Sequence, residues 1–170
     1  YRLFGGYRNK VPCYVTCAYY RDGKDNAELR DEIQMLVEQG HKGFKGKVGG
    51  LSLNEDIARM EIVREIIGPD KDLMIDVNRA WDLKTAIEGA RLLEPLQPVW
   101  LEEPVRWTDD RRELKLLSQQ TNIPLSGGES EVTSYGCRAM IEEQAIQILQ
   151  FDCTMSVSYT HLTLPTISCV

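Results

Sequence analysis

Strand-like and helix-like segments alternate along this chain without a break, and an acidic side chain closes successive strands at near-constant spacing. Val11–Tyr20 is rich in β-branched and aromatic residues and reads as a strand. Residues 26–39 carry a helical stripe of Leu29, Ile33, Leu36 and Val37, stopped by Gly40. Further strands are predicted at 43–48, 73–78, 99–102, around Leu125 and at 146–151. Between them, Ser52 and Glu55 form a capping box for a helix ending at Gly68-Pro69, and Asp82 caps a helix reaching about Leu93. Helices over 108–121 and 133–144 complete the pattern.

Such alternation predicts parallel strands joined by crossover helices. Asp76 to Glu102 is 26 residues, Glu102 to Glu129 is 27 and Glu129 to Asp152 is 23, so each βα unit delivers one acid at a strand end. The C-terminal mouth of a (β/α)8 TIM barrel is where equal units deliver side chains to a common place. A doubly wound open sheet is the alternative, and it would spread the same acids along an edge. The expected fold is therefore α/β, an incomplete (β/α)8 barrel of about six βα units. The N-terminal capping domain and the last strands are expected to be missing. Residues 1–12 read as a linker from that capping domain, 13–156 as the partial barrel, and 157–170 as a non-native tail without Asp, Glu, Lys or Arg.

Composition narrows the class of function. Hydrophobic residues are 42% and charged residues 27%, which is ordinary for a globular chain and argues against disorder. A net charge of -6 with no dense basic run gives no reason to expect a nucleic acid partner. No apolar run approaches the roughly 20 residues that span a bilayer, so no membrane partner is expected. The five cysteines form no CxxC pair; Cys13 and Cys17 share one predicted strand, which suits buried thiols better than a disulfide, and a reducing cytoplasm is expected. The stretch from Gly43 to Val48 is not a phosphate-binding loop, because His41 and Val48 stand where Gly and Ser or Thr are needed.

The chemistry lies at the strand ends. Alternation along a strand puts Lys45 and Lys47 on one side, with Phe44, Gly46 and Val48 facing the helices. Both faces of a parallel sheet are covered, so two inward lysines need a reason beyond a solvated strand face. Asp76 and Asn78 repeat the arrangement on the third strand, and Glu102 and Glu129 follow on the fourth and fifth. Three converging carboxylates are hard oxygen ligands that repel one another unless a divalent cation such as Mg2+ joins them.

Taken together, Lys45-Gly46-Lys47, Asp76-Val77-Asn78, Glu102-Glu103-Pro104, Gly128-Glu129 and Asp152 resemble, in order and spacing, the barrel of the enolase superfamily, mandelate racemase branch. Gly5-Gly6-Tyr7-Arg8 and Val11-Pro12 are similar to that family's entry into the barrel, and the resemblance covers roughly residues 5–156. It implies Asp76, Glu102 and Glu129 as Mg2+ ligands and Lys47 as the base that takes a proton α to a carboxylate. Lys45 is implied near the substrate carboxylate and Asn78 in hydrogen bonding to substrate. Asp152 is implied as the partner of a histidine on a seventh strand. His161 lies in the tail and His41 precedes the second strand, so neither is assigned that role.

A muconate-lactonizing or dipeptide-epimerase relative shares the KxK strand but has Asp as its third ligand and a lysine on the sixth strand. Glu129 and Asp152 stand there instead, which favours the mandelate racemase branch. The expected reaction is dehydration of a sugar acid, with racemisation or epimerisation sharing the first step. The substrate is a small carboxylate, and the resemblance admits a homo-oligomeric parent. A non-catalytic fragment with residual metal binding is the contrasting expectation, because these 170 residues alone are expected to be inactive. Arg79 and Trp81 after the third strand, and Arg106 and Trp107 after the fourth, read as loop anchors first, with pocket contact as the alternative and Arg79 and Trp81 the better placed for it.

Overall fold

The structure is a computed structural model that describes residues 10–108 and 110–152. The tail reading of 157–170, with His161, and most of the 1–12 linker reading lie outside the described residues. Six strands form one sheet: β1 (Val15–Cys17), β2 (Gly43–Lys47), β3 (Asp72–Asp76), β4 (Trp100–Glu102), β5 (Leu125–Gly127) and β6 (Ile148–Leu149). They are all parallel and lie side by side in chain order. A doubly wound sheet reverses its order at a switch point, and this one never does. The order is that of a singly wound (β/α)8 barrel, of which the described residues supply five βα units and a sixth strand.

Five helices make the crossovers: α1 (Asn26–Glu38), α2 (Leu53–Ile67), α3 (Leu83–Leu93), α4 (Asp110–Ser118) and α5 (Ser134–Glu142). Side chains close most of their first turns. Asp25 accepts from the Glu28 amide, Asp82 from Thr85 and Thr133 from Gly136, each satisfying an orphan donor. The Ser52–Glu55 capping box forms as predicted, and Gly68 ends α2 at φ 76. No helix among the described residues is long and apolar enough to cross a membrane.

The register shows how one strand serves two purposes. Gly46, Ile75, Leu101 and Leu125 form a lateral row toward the helices, and Ile75, Leu101 and Leu125 are fully buried. Leu29 and Ile33 of α1, Met60 and Val63 of α2, Ala90 and Leu93 of α3 and Leu117 of α4 cover that face. Full burial of each large apolar side chain contributes roughly 1.5–3 kcal/mol. A Cβ at Gly46 would stand 2.6 Å from Met60 Sδ, so α2 packs directly on the β2 backbone. The alternate residues, Lys47, Asp76, Glu102 and Ser126, form the inward row.

Some boundaries fall short of expectation. The predicted strand 11–20 pairs only over Val15–Cys17, because Ala18 turns to φ 56 and leaves the ladder. The last strand pairs over Ile148–Leu149 alone, and α4 stops at Ser118. Hydrophobic pattern marks where a strand can form, whereas pairing partners fix its length.

Candidate active site

Three adjacent strands place the charged row. Lys47 Nζ donates to Asp76 Oδ2 at 2.6 Å and to Asn78 Oδ1 at 2.8 Å. Lys45 Nζ, one inward position below, lies 2.8 Å from Glu102 Oε1 and 3.1 Å from Asp76 Oδ2. The exposures of Asp76, Glu102 and Lys45 are 1%, 2% and 8%, so these are charges inside the protein. Lone ions there would cost several kcal/mol each, and mutual pairing offsets that. Burial works against the Lys45 ammonium, but its hydrogen bond to Glu102 and the charges of Asp76 and Glu102 outweigh it and raise its pKa. Lys45 is therefore a fixed cation.

The other carboxylate oxygens are held by neutral donors. Asp76 Oδ1 accepts from the Asn78 amide at 3.0 Å. Glu102 Oε2 accepts from Trp100 Nε1 at 3.0 Å and from Gln150 Nε2 at 2.9 Å. Among the described residues no buried side-chain nitrogen or oxygen lacks a partner.

The rim above this row is built from β3–α3 and β4–α4 loop residues. Asn78, Arg79 and Glu103 have φ of 47, 63 and 42. The Arg79 guanidinium pairs with the Glu103 carboxylate and lies 4.2 Å from the centre of the Trp107 ring. Burial pushes the Glu103 carboxyl up to about 7; Arg79 opposes the shift, and the charges of Glu129 and Asp76 add to it. Asn78, Arg79, Glu103, Arg106, Trp107 and Glu129 line one cleft.

Sequence-predicted residues thus divide. Lys45, Lys47, Asp76, Asn78 and Glu102 are joined in one continuous chain of hydrogen bonds and ion pairs. Glu129 follows left-handed Gly128, is exposed, and shares the cleft with Asn78 and Glu103 rather than joining Asp76 and Glu102. Among the described residues no three His, Cys, Asp or Glu side chains are arranged as a metal cage. Asp152 is half-buried beyond β6. Trp81 does not reach the site: it is 5% exposed, bridges to Val105 and fills the space beside Gly89. Trp107, read as an anchor, is instead an exposed cleft wall under Arg79.

A further network was missed by sequence reasoning. Asp56, fully buried in the first turn of α2, accepts from Tyr20 Oη at 2.5 Å, the Gly49 amide at 2.7 Å, the Leu51 amide at 3.3 Å and Arg59 Nη1 at 3.1 Å. Arg59 also donates to the carbonyls of Ala18 and Lys47. The strand exits at β1 and β2 are tied together behind Lys47.

A sequential parallel sheet with an inward row of lysines and carboxylates at its C-terminal end defines part of a (β/α)8 barrel whose mouth is charged. Residues 28–161 match the enolase C-terminal domain-like family, and the chain belongs to that family. It is 36% identical over 152 residues to the arabinonate dehydratase of Saccharolobus solfataricus, covering 89% of this chain and 40% of that enzyme. A mandelate racemase/muconate lactonizing enzyme from a marine actinobacterium, solved in complex with magnesium, superposes with a TM-score of 0.86 at 35% identity. That match covers 99% of this chain and 47% of the other. L-talarate dehydratase from Polaromonas sp. JS666, complexed with Mg and L-glucarate, matches at TM-score 0.83 and 28% identity, over 98% and 47% of the two chains. The chain thus spans less than half the length of these relatives.

Proposed function

We propose that this chain supplies the Mg2+ ligands and the base for removing a proton α to a carboxylate, and that the complete protein thereby dehydrates a sugar acid. The observation that carries the reading is the row Lys47–Asp76–Glu102, with one buried ammonium, Lys45, bridging both carboxylates. Two buried anionic oxygens already facing a single cation suit a hard divalent ion, so the donor set fits Mg2+. Asp76 and Glu102 would hold it, with Glu129 as the third ligand proposed from the loop after β5. Bound Mg2+ supplies a Lewis acid that stabilises charge developing on carboxylate oxygens.

The chain's own residues supply the rest. As a neutral amine, Lys47 takes the α-proton on Nζ, and the electron pair left behind moves into the carboxylate to give an enediolate. Lys45, kept charged by its carboxylate partners, faces the growing negative charge. Asn78 holds Lys47 in place through Oδ1 and is proposed to hydrogen-bond substrate. Asp152 is proposed to orient a histidine from outside the described residues. The β-hydroxyl then leaves as water with a proton from that histidine, and the enol left behind tautomerises to a 2-keto-3-deoxy acid. The dehydratases among the relatives support dehydration over racemisation, which would share the first step. Free thiols at Cys13, Cys17 and Cys137 support a reducing, cytoplasmic setting.

The test uses the complete protein that contains this chain, with the 170-residue chain assayed beside it on sugar acids. Lys47→Ala is expected to abolish α-proton exchange in D2O, followed by NMR, with Mg2+ affinity nearly unchanged. Glu102→Gln is expected to weaken Mg2+ at least about tenfold by calorimetry. Normal exchange in Lys47→Ala would remove the base from the reading.

A further inference from the structure

We infer that Trp100 and Gln150 are positioning residues that aim the Glu102 carboxylate. The inference rests on the proposed role of Glu102 as a metal ligand. Glu102 Oε2 takes both neutral donors, Trp100 Nε1 at 3.0 Å and Gln150 Nε2 at 2.9 Å, while Oε1 faces Lys45 and, through it, Asp76. The two oxygens of one buried carboxylate are therefore differentiated. One is anchored from behind, and the other is presented to a cation.

Neutral donors suit that task. An arginine or lysine at the same place would fix the carboxylate equally well but neutralise it, and a cation would be held less strongly. An indole N–H and an amide N–H lock the rotamer and leave the full charge.

Each donor is itself held. Trp100 stands two residues before Glu102 on β4, so alternation puts both on the inward face. Its ring meets Tyr14 edge to face, with centroids 5.7 Å apart and planes at 75°. On the other side, the Ser126 hydroxyl donates to the Ile148 carbonyl at 3.2 Å, so Ser126 Oγ meets Gln150 as an acceptor. The Gln150 amide must then turn its nitrogen inward, where it reaches Ser126 and Glu102 together. Gln150 follows β6 directly, so the aim of a β4 ligand depends on how the chain leaves β6.

Trp100→Phe keeps the ring and removes only the N–H; Gln150→Leu removes the amide. In the complete protein each is expected to raise the Mg2+ dissociation constant by roughly tenfold, and the pair by up to about 100-fold. Calorimetry with Mg2+ and EPR with Mn2+ read this directly. The urea midpoint of Trp100→Phe is expected to stay close to the parent, which a purely structural role does not combine with weaker metal. If Gln150→Leu does not fold, Ser126→Ala, which frees the amide to turn, takes its place with the same direction of effect. Metal affinity within twofold of the parent in these variants, alongside a tenfold loss in Glu102→Gln, overturns this inference alone. Unchanged affinity in Glu102→Gln overturns the ligand reading beneath it.

Discussion

Replacing Asp56 by alanine removes a fully buried carboxylate on which four donors converge. Arg59, 8% exposed, would keep only the carbonyls of Ala18 and Lys47, and the Gly49 and Leu51 amides would lose their acceptor. An uncompensated buried charge of this kind costs about 3–5 kcal/mol. The carboxylate also sits in the first turn of α2, where the helix dipole adds about 0.3–1 kcal/mol. Against a typical total of about 5–15 kcal/mol, the variant should be close to unfolding at the lower end of that range. Urea denaturation followed by far-UV circular dichroism measures the loss. With a slope of about 2 kcal/mol per molar, the midpoint falls by roughly 2 M. Asp56→Asn keeps the shape but loses the charge and one acceptor, and about 1.5–3 kcal/mol is expected. A shift below about 0.5 M in Asp56→Ala would refute the view that this network holds the β1 and β2 exits together.

Two further outcomes follow from the same geometry. Burial, helped by its hydrogen bond to Asp56, pushes the Tyr20 hydroxyl from 10.0 up to about 12. The folded state then keeps this proton to higher pH than the unfolded chain, so its contribution is complete below pH 10 and lost as pH rises toward 12. Because Tyr20 is 39% exposed, screening reduces the effect to about 1 kcal/mol, and Tyr20→Phe should flatten that slope in urea midpoints taken from pH 9 to 11.5. Gly89→Ala should gain about 1 kcal/mol from helix propensity alone, yet its Cβ would stand 2.7 and 2.8 Å from two ring carbons of buried Trp81. A net loss of about 1–3 kcal/mol is expected by thermal melting, and a higher Tm would show that Trp81 yields easily.

The inward row was legible because two periodicities coincide in the sequence. Alternation fixed the parity of Lys45 and Lys47, and unit spacing put Asp76 and Glu102 at strand ends; parallel register then made them neighbours. Trp100 shares the parity of Glu102, and Gln150 that of Asp152, so a parity argument could have marked both as inward. Which carboxylate oxygen they reach is set by packing, which the sequence does not display. Asp56 was hidden for a different reason. Next to Glu55 in a capped first turn, it reads as one more solvated helix-terminal acid, and only tertiary contact with Tyr20 and Arg59 makes it central. Trp81 follows the Asp76–Asn78 pair in sequence, but its ring turns back onto α3 and anchors the loop, the role its position favoured. For Glu129, strand spacing located the residue but not its direction, because left-handed Gly128 comes between it and β5.

Each of the first five strands leaves the sheet at its C-terminal end through a left-handed residue: Ala18, Gly49, Asn78, Glu103 and Gly128, with φ of 56, 99, 47, 42 and 105. Such a residue ends the ladder abruptly and swings the chain outward, so the last inward side chain of each strand points into an open mouth. Glycine would do this at least strain, and β2 and β5 use it. A non-glycine residue there costs of order 1–3 kcal/mol and persists only where neighbours over-determine it. They do so here. Ala18 donates to Glu32 and accepts from Arg59; the Asn78 amide is held by Asp76; the Glu103 amide donates to the Ser126 carbonyl at 2.9 Å. At Asn78 and Glu103 the strained position carries a side chain that glycine lacks, one meeting Lys47 and the other Arg79. The strain therefore falls where the backbone must turn and a polar group must be presented at the same residue. That places the working surface of this sheet at its C-terminal end.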